Sequence, residues 1–179
     1  MKNFLIVGGT SGIGLALTKT LQAEGHHITV AARKESDQIK GMENVNFVKM
    51  DVLADELPVE KLPEEIDGLA YCPGSINLKP FRSLKVKDFQ SDFEINVLGA
   101  VRVLQATRKA LKKGNPASVV LFSTVAAGQG LVFHASVSAA KGALESMART
   151  LAAEWAPHIR VNCIAPSLTD TPMASQLLS

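Results

Sequence analysis

The chain has 179 residues, of which 46% are hydrophobic and 20% charged, which is enough for one sizeable core and too little for two full domains. Its formal net charge is +2, and the charges are spread along the chain without a basic tract for nucleic acid or an anionic membrane. No apolar run reaches the length of a signal peptide's apolar region or of a membrane span. We therefore expect a single domain over residues 1–179, in a cytoplasmic protein that acts on small molecules.

Apolar runs of strand length alternate with amphipathic segments along the chain, which is typical of a parallel sheet covered by helices. Six strands are predicted over residues 4–7, 28–32, 45–50, 69–72, 118–122 and 160–165. Most of these runs are continuous rather than alternating, as in strands that are covered on both faces. The pattern predicts a doubly wound α/β fold with three layers, α/β/α.

Three helices are predicted where apolar residues recur every three or four positions, over residues 13–21, 97–111 and 140–155. Gly25, Gly114 and Pro157 lie where these helices would end. The connection between the second and third strands is near the lower limit of length for a helical crossover and predicts a turn or two. The polar stretch over residues 79–87 is interpreted as a surface loop that leads into the second of these helices.

The first strand passes into the first helix through a glycine-rich loop, Gly8-Gly9-Thr10-Ser11-Gly12-Ile13-Gly14. A pyrophosphate can lie on the free amides at a helix N-terminus only where no side chain blocks it. We expect Gly8 to form the turn, Gly12 to allow the close approach and Gly14 to let the helix pack on the strand. Thr10 and Ser11 add hydroxyl donors. The alternative is a glycine-rich turn without a ligand.

The spacing of this loop, Gly-x-x-x-Gly-x-Gly, resembles the glycine motif of the short-chain dehydrogenase/reductase family. Further resemblances follow in the family's order along nearly the whole chain. Asp51 and Val52 resemble the pair that contacts adenine. Tyr71-Cys72-Pro73-Gly74 occupies the place of the family's Asn-Asn-Ala-Gly, of which Gly74 is retained.

Two later segments resemble the same family. Asn96-Val97-Leu98-Gly99 matches its Asn-x-x-Gly pattern, and Pro166, followed by Thr169 and Thr171, resembles the segment that contacts the nicotinamide carboxamide. The resemblance implies a Rossmann fold, a nicotinamide dinucleotide cofactor bound by the residues of these motifs, and redox chemistry on a small carbonyl or alcohol substrate. It also implies a homodimer or homotetramer, with the helices over residues 97–111 and 140–155 at the dimer contact.

The choice of cofactor is predicted from the residues after the second strand. An acid there would bind the ribose hydroxyls of NAD and repel the extra phosphate of NADP. Ala32, Arg33 and Lys34 occupy this place instead, and the planar fork of Arg33 suits a phosphate. This favours NADP (NADPH) over NAD. The alternative is that two basic residues only keep a loop soluble.

The resemblance also implies a reaction centre, in which a tyrosine donates the proton, a lysine four residues later lowers the tyrosine's pKa and holds the ribose, a serine orients the carbonyl and an asparagine completes a water relay. Lys141 matches the lysine, Asn96 the asparagine, and Thr124 the serine. Val137 stands where the tyrosine is expected. Its isopropyl group can neither donate nor accept a proton, so the general acid is missing.

Neighbouring residues offer few substitutes for the missing acid. Ser136 and Ser138 are a helical step of about 100° from Val137 and point elsewhere on a regular helix. His134 lies just before the helix, and an imidazole can exchange a proton near neutral pH. It is either the replacement donor or a loop-packing histidine. Cys72 and Cys163 lack a metal-ligand spacing and are expected to be small buried hydrophobes, so no metal is predicted.

Two functions therefore remain open. One is an atypical oxidoreductase with weak activity or an unusual proton donor, and the other is a catalytically silent module that senses NADP or serves in assembly. Asn96 and Thr124 favour the enzyme, whereas Val137 favours the sensor. The substrate-covering lid and the seventh strand that the resemblance implies are not in the 179 residues, so the substrate is not predicted.

Overall fold

A six-stranded, fully parallel sheet forms the centre of the molecule, in the order β3-β2-β1-β4-β5-β6. This computed structural model describes residues 1–114 and 116–175. The strands are β1 Asn3–Val7, β2 His27–Ala32, β3 Val45–Lys49, β4 Gly68–Tyr71, β5 Ala117–Phe122 and β6 Ile159–Ile164. Every predicted strand is confirmed to within one residue at each end.

The helices are α1 Gly12–Ala23, α2 Val86–Phe93, α3 Gly99–Lys113, α4 Val125–Gln129 and α5 Ala135–Trp155, with short 3-10 turns at Val59–Lys61 and Phe81–Ser83. A π-helical segment, Glu94–Leu98, joins α2 to α3. Residues 79–87 were predicted as a loop, but the helix already begins at Val86. Its first turn is supported by Asp88, whose Oδ2 accepts a hydrogen bond from the Lys85 backbone N–H at 2.8 Å, as in one half of a capping box.

Alternate strand residues face two separate apolar layers, as the period of two in a strand requires. Leu5 and Val7 face the larger cluster, which includes Leu104 of α3 and Leu144 of α5. Ile6 faces the smaller one, which α1 covers. The predicted α/β/α layering is confirmed.

The strand β6 differs from the central strands because its residues alternate between buried and exposed. Its inner residues pack under α5, whereas Ile164 on its other face is 49% exposed.

None of the helices in the described part of the chain is both long and apolar enough to cross a bilayer.

The strand order reverses direction between β1 and β4, which lie side by side at the centre of the sheet. The loops that leave their carboxyl ends therefore diverge and open a crevice, the usual ligand site of such sheets. Gly8 follows β1, and a side chain there would begin 3.2 Å from the Pro73 backbone nitrogen that follows β4. The fold thus brings the glycine loop and Gly74 to the two sides of one crevice.

Candidate functional site

A cleft of about 760 Å³ occupies this crevice. Twelve of the residues predicted to bind the cofactor line it: Gly8, Thr10, Ser11, Gly12, Ile13, Gly14, Arg33, Lys34, Asp51, Val52, Gly74 and Thr171. The sequence interpretation missed nine further lining residues: Val7, Ala31, Ala32, Lys49, Met50, Cys72, Pro73, Pro172 and Met173. The predicted motifs, which are far apart in sequence, thus form one continuous wall.

The glycine loop has no room for side chains. A Cβ on Gly14 would lie 2.4 Å from the Gly8 carbonyl oxygen, and Gly12 has a φ of +51°, which favours glycine. Thr18, which is fully buried and was not singled out from sequence, fixes the loop from below because its Oγ1 donates to the Gly14 carbonyl oxygen at 2.8 Å. Ser11 is the N-cap of α1, but its hydroxyl accepts no helix N–H. The first amides of α1 stay available, so the loop fits a pyrophosphate.

Three cations gather where the cleft passes the ends of β2 and β3. Arg33 and Lys34 are exposed, and neither has a carboxylate within 4.0 Å among the described residues. Lys49 joins them because it pairs with Ala32 in the parallel register. The parallel alignment of the last residues of the two strands could have identified it. Asp51 uses one carboxylate oxygen to accept from the Leu53 N–H at 3.0 Å, which leaves the other for a ligand.

Gly74 marks the opposite end of the cleft, where two predicted catalytic groups meet. A side chain at Gly74 would begin 3.2 Å from Asn96 Oδ1 and 3.5 Å from Lys141 Nζ. Nζ donates to the Phe122 carbonyl oxygen at 2.6 Å. Burial lowers the pKa of Lys141 to about 8, against the opposing effects of Cys163, Cys72 and Asp92. The amine therefore stays mostly protonated at neutral pH.

The π-helical segment places Asn96 at this point. Its widened turn leaves carbonyl oxygens without their α-helical partners. The Asn96 side chain donates Nδ2 to the Asp92 carbonyl oxygen at 2.7 Å, and the Tyr71 hydroxyl donates to the Ile95 carbonyl oxygen at 2.6 Å. A side chain on Gly99 would lie 2.4 Å from that hydroxyl. The Asn-x-x-Gly pattern thus provides both the side-chain amide and the space that this turn needs.

The remaining predicted groups lie on α5 and at the start of α4. Val137 lies one helical turn before Lys141 and is only 5% exposed. Thr124 is the N-cap of α4, where its Oγ1 accepts from the Ala126 N–H at 3.3 Å and keeps its own hydrogen to donate. We call Asn96, Thr124, Val137 and Lys141 the reaction centre.

The chain's single tyrosine is engaged elsewhere in the fold. Tyr71 is buried beside the π-helical segment, its hydroxyl is engaged by Ile95, and burial raises its pKa. His134 is the N-cap of α5 with Nδ1 2.7 Å from the Val132 carbonyl oxygen. No hydrogen bond within the described residues joins His134 to Lys141 or Asn96. Its role as a donor stays a prediction.

Four residues predicted to bind the cofactor do not line the cleft. Asn96 and Lys141 lie beside it, behind Gly74. The Pro166 carbonyl oxygen accepts from the Val125 N–H at 3.1 Å and so joins the end of β6 to α4. Thr169 is exposed and donates Oγ1 to the Ser167 carbonyl oxygen at 3.0 Å.

Comparisons with known proteins agree with this geometry. The family model described as short chain dehydrogenase matches residues 2–179. A tropinone reductase homolog of Arabidopsis thaliana is 32% identical over 99% of this chain and 73% of its own length. L-xylulose reductase of Bos taurus is 29% identical over 94% of this chain and 72% of its own.

Solved structures have the same fold. A short-chain dehydrogenase/reductase from Brucella melitensis aligns with a TM-score of 0.89 at 28% identity, over 99% of this chain and 77% of its own. An actinorhodin polyketide ketoreductase solved with NADPH aligns with a TM-score of 0.89 at 27% identity, over 98% of this chain and 74% of its own. The glycine loop in the cleft, the order of the strands and these matches together show that the chain belongs to the short-chain dehydrogenase/reductase family of oxidoreductases.

Proposed function

We propose that this protein is an NADP-dependent oxidoreductase that acts on a small carbonyl or alcohol substrate with weak or atypical proton donation. The cleft carries the proposal. It extends from the cations Arg33, Lys34 and Lys49, along the glycine loop, to Gly74, behind which Lys141 and Asn96 lie. Similarity to a ketoreductase solved with NADPH supports the cofactor class.

The preference for NADP over NAD rests on charge at one end of the cleft. Three cations line the cleft at that end. Among the described residues, Asp51 is the one carboxylate that lines the cleft. An arginine fork with no protein partner can make two charge-assisted hydrogen bonds to a ribose phosphate. A cofactor without that phosphate would lose these contacts and should bind more weakly.

The groups of the reaction centre can bind and orient the reactants. When bound, the reduced cofactor supplies a hydride. Lys141 Nζ has one N–H committed to Phe122 and two left for a ribose hydroxyl or a water. Thr124 keeps a hydroxyl hydrogen that can orient a carbonyl oxygen. The proton must come from another group, because Val137 has none to give.

His134 is the candidate donor in the described part of the chain. Its Nδ1 faces a carbonyl oxygen, so Nδ1 carries a hydrogen and Nε2 carries one only in the imidazolium form. As an acid, His134 would therefore donate from Nε2. The loop that holds it would have to bring this atom to the substrate.

The rival function, a catalytically silent NADP-binding sensor or assembly module, is favoured by two observations. Val137 is buried, and the chain's one tyrosine is committed elsewhere. The glycine loop and the cations would serve such a module equally well. The two functions therefore share the cofactor and differ in turnover.

Two measurements on the full-length protein test both functions. Nicotinamide fluorescence should show tighter binding of NADPH than of NADH, and equal affinities would contradict the phosphate assignment. NADPH oxidation with a panel of aldehydes, ketones and quinones above the buffer rate supports the enzyme. Tight NADPH binding without turnover supports the sensor. The cytoplasmic location and the homodimer or homotetramer stay predictions.

A further inference from the structure

The side chain of Asp92, on the last turn of α2, is fully buried. Its Oδ1 accepts hydrogen bonds from Ser75 Oγ at 2.5 Å and from Asn77 Nδ2 at 2.8 Å. Its Oδ2 has no partner within the described residues. Burying a carboxylate is unfavourable unless its oxygens are fully compensated. Packing alone therefore gives no reason for an aspartate here.

The hydrogen-bond chain from Asp92 continues into the reaction centre. Ser75 Oγ donates to Asp92 and accepts from Asn96 Nδ2 at 3.0 Å. The second Nδ2 hydrogen of Asn96 goes to the Asp92 carbonyl oxygen at 2.7 Å. Both amide hydrogens are thus used, so the amide cannot turn over without losing both bonds. Asn96 Oδ1 has no partner of its own and faces the same space beside Gly74 as Lys141 Nζ.

Asp92 is also electrostatically coupled to Lys141. Burial lowers the pKa of Lys141 to about 8, and Cys163, Cys72 and Asp92 oppose that effect. Burial raises the pKa of the Cys72 thiol to about 12 and also raises the pKa of Cys163. Of these three neighbours, Asp92 is the carboxylic acid, and it is the one that the hydrogen bonds through Ser75 join to Asn96.

We propose that Asp92 is a positioning residue of the reaction centre: acting through Ser75, it holds the Asn96 amide with Oδ1 toward Gly74 and Lys141, and its charge favours the protonated amine. This rests on the proposed function only in treating Asn96 and Lys141 as the groups that meet cofactor and substrate. The contacts themselves join residues of this chain and include no cofactor atom. They can therefore be tested without turnover.

A purely structural role for Asp92 makes a different prediction. Asp92 ties residues 75–77 to α2, and Asp88, one turn earlier, ties the same loop through an ion pair with Lys79 at 2.9 Å. Asp88 has no hydrogen bond to Ser75 or Asn96 in the described part of the chain. Asp88→Asn is therefore a matched control, since it loosens the loop and removes the same charge from α2 without acting on the reaction centre.

The first experiment follows Lys141 directly. In protein labelled with ¹³C-lysine, the Cε signal of Lys141, assigned by its loss in Lys141→Met, is titrated with pH by NMR. Asp92→Asn should lower the titration midpoint of Lys141, because a negative charge is lost while both hydrogen bonds to Oδ1 can persist. Asp88→Asn should leave it unchanged. A folded Asp92→Asn variant with the wild-type midpoint would overturn the electrostatic part of the proposal.

The second experiment tests the orientation of Asn96 and remains possible if Asp92→Asn fails to fold. Ser75→Ala removes the acceptor for one Nδ2 hydrogen, so the side-chain amide of Asn96 should exchange with solvent several-fold faster. Asn77→Ala removes the other donor to Asp92 Oδ1 but leaves the Ser75–Asn96 bond, and exchange should stay slow. Equal exchange in the two variants would overturn the relay through Ser75. A failure of NADPH binding would appear separately, in the fluorescence titration.

Discussion

The two ends of the cleft are built in different ways. At the glycine loop, the groups available to a ligand are backbone amides, and glycine supplies the space in front of them. At the reaction centre, the groups are buried side chains that depend on one another, such as Lys141 on Phe122 and Asn96 on Ser75. A backbone site tolerates most changes elsewhere, whereas a side-chain site loses its chemistry when one member changes. Cofactor binding and turnover can therefore separate in this chain.

The largest effect is expected from supplying the general acid that the sequence predicts to be missing. Val137→Tyr places a phenol one helical turn from Lys141, whose charge would favour the phenolate and lower the tyrosine's pKa. Carbonyl reduction should rise by about a hundred- to ten-thousand-fold, the usual effect of a positioned general acid. NADPH affinity should stay the same, because the glycine loop is untouched. The rate is measured from NADPH absorbance with the carbonyl panel.

Val137→Phe is the control for size, since it adds the ring without the hydroxyl. Either variant can overpack the buried site by about 1–3 kcal/mol, so melting temperature is measured beside the rate. A folded, NADPH-binding Val137→Tyr that reduces nothing faster than Val137→Phe would show that more than one hydroxyl is missing, which would favour the sensor.

The buried amine of Lys141 gives the next largest effect, in stability. Its pKa falls from 10.5 in the unfolded chain to about 8 in the folded protein. Between these values the unfolded chain binds more protons, so the free energy of unfolding rises with pH. Below about pH 8, Lys141 is charged in both the folded and the unfolded state. Burial of the charged amine then lowers the free energy of unfolding by the full amount, about 3 kcal/mol.

Lys141→Met removes this titration. The stability of the variant relative to wild type should therefore fall by about 3 kcal/mol between pH 7 and pH 10.5, as followed by urea unfolding at each pH. Lys109→Met, at an exposed position of α3, should show a flat difference. Parallel curves for Lys141→Met and wild type would mean that the amine is hydrated in the folded protein.

Sequence patterns were sufficient for the sheet and for the glycine loop, because both depend on local rules. Six apolar runs located the strands, and the spacing of Gly8, Gly12 and Gly14 located the loop. The site was harder where a group acts through tertiary contacts. In the sequence, Thr18 does not differ from other helix residues, and its role depends on the hydrogen bond that its hydroxyl makes under the loop. Lys49 reaches the cleft only through the register of two neighbouring strands.

The reaction centre could be predicted only in part. Asn96 and Lys141 were identified by resemblance, and the structure brings both to Gly74. The π-helical turn that presents Asn96 was missed, since it depends on hydrogen bonds from Asn96 and Tyr71 to carbonyl oxygens. Asp92 was missed because a single acid on an amphipathic helix usually faces solvent. Its burial depends on Ser75 and Asn77, which lie in a loop without a pattern.

The cation end of the cleft gives a smaller, selective effect. Arg33→Ala should weaken NADPH binding by about 1.5–3 kcal/mol, more than tenfold, through loss of a charge-assisted pair. NADH affinity should change little, because the lost contact is to the extra phosphate. Nicotinamide fluorescence measures both. Lys109→Ala removes the same charge away from the cleft and should leave both affinities unchanged. An equal loss for NADPH and NADH in Arg33→Ala would show that Arg33 acts on a part that both cofactors share.

The smallest predicted effect is on the stability of alanine variants at two glycines, one from each end of the cleft. At Gly142, next to Lys141 in α5, an added Cβ meets nothing within 4 Å, and alanine in a helix interior is favoured over glycine by about 0.5–1 kcal/mol. Gly142→Ala should raise the free energy of unfolding by that amount and leave NADPH affinity unchanged. Gly14→Ala should do the opposite in both respects, because its Cβ would meet the Gly8 carbonyl oxygen at 2.4 Å. Urea unfolding and cofactor titration of the two variants measure the contrast.

A loss of stability in Gly142→Ala would bear on the predicted subunit contact. Since the space over Gly142 is open within the described part of the chain, such a loss would mean that another surface covers α5 in solution. The homodimer predicted from sequence places α3 and α5 at the subunit contact, so a second copy would be that surface. Light scattering separates the cases: a Gly142→Ala variant that is less stable and also less associated than wild type would locate the contact at α5, whereas a stabilised variant with unchanged mass would leave this part of α5 facing water.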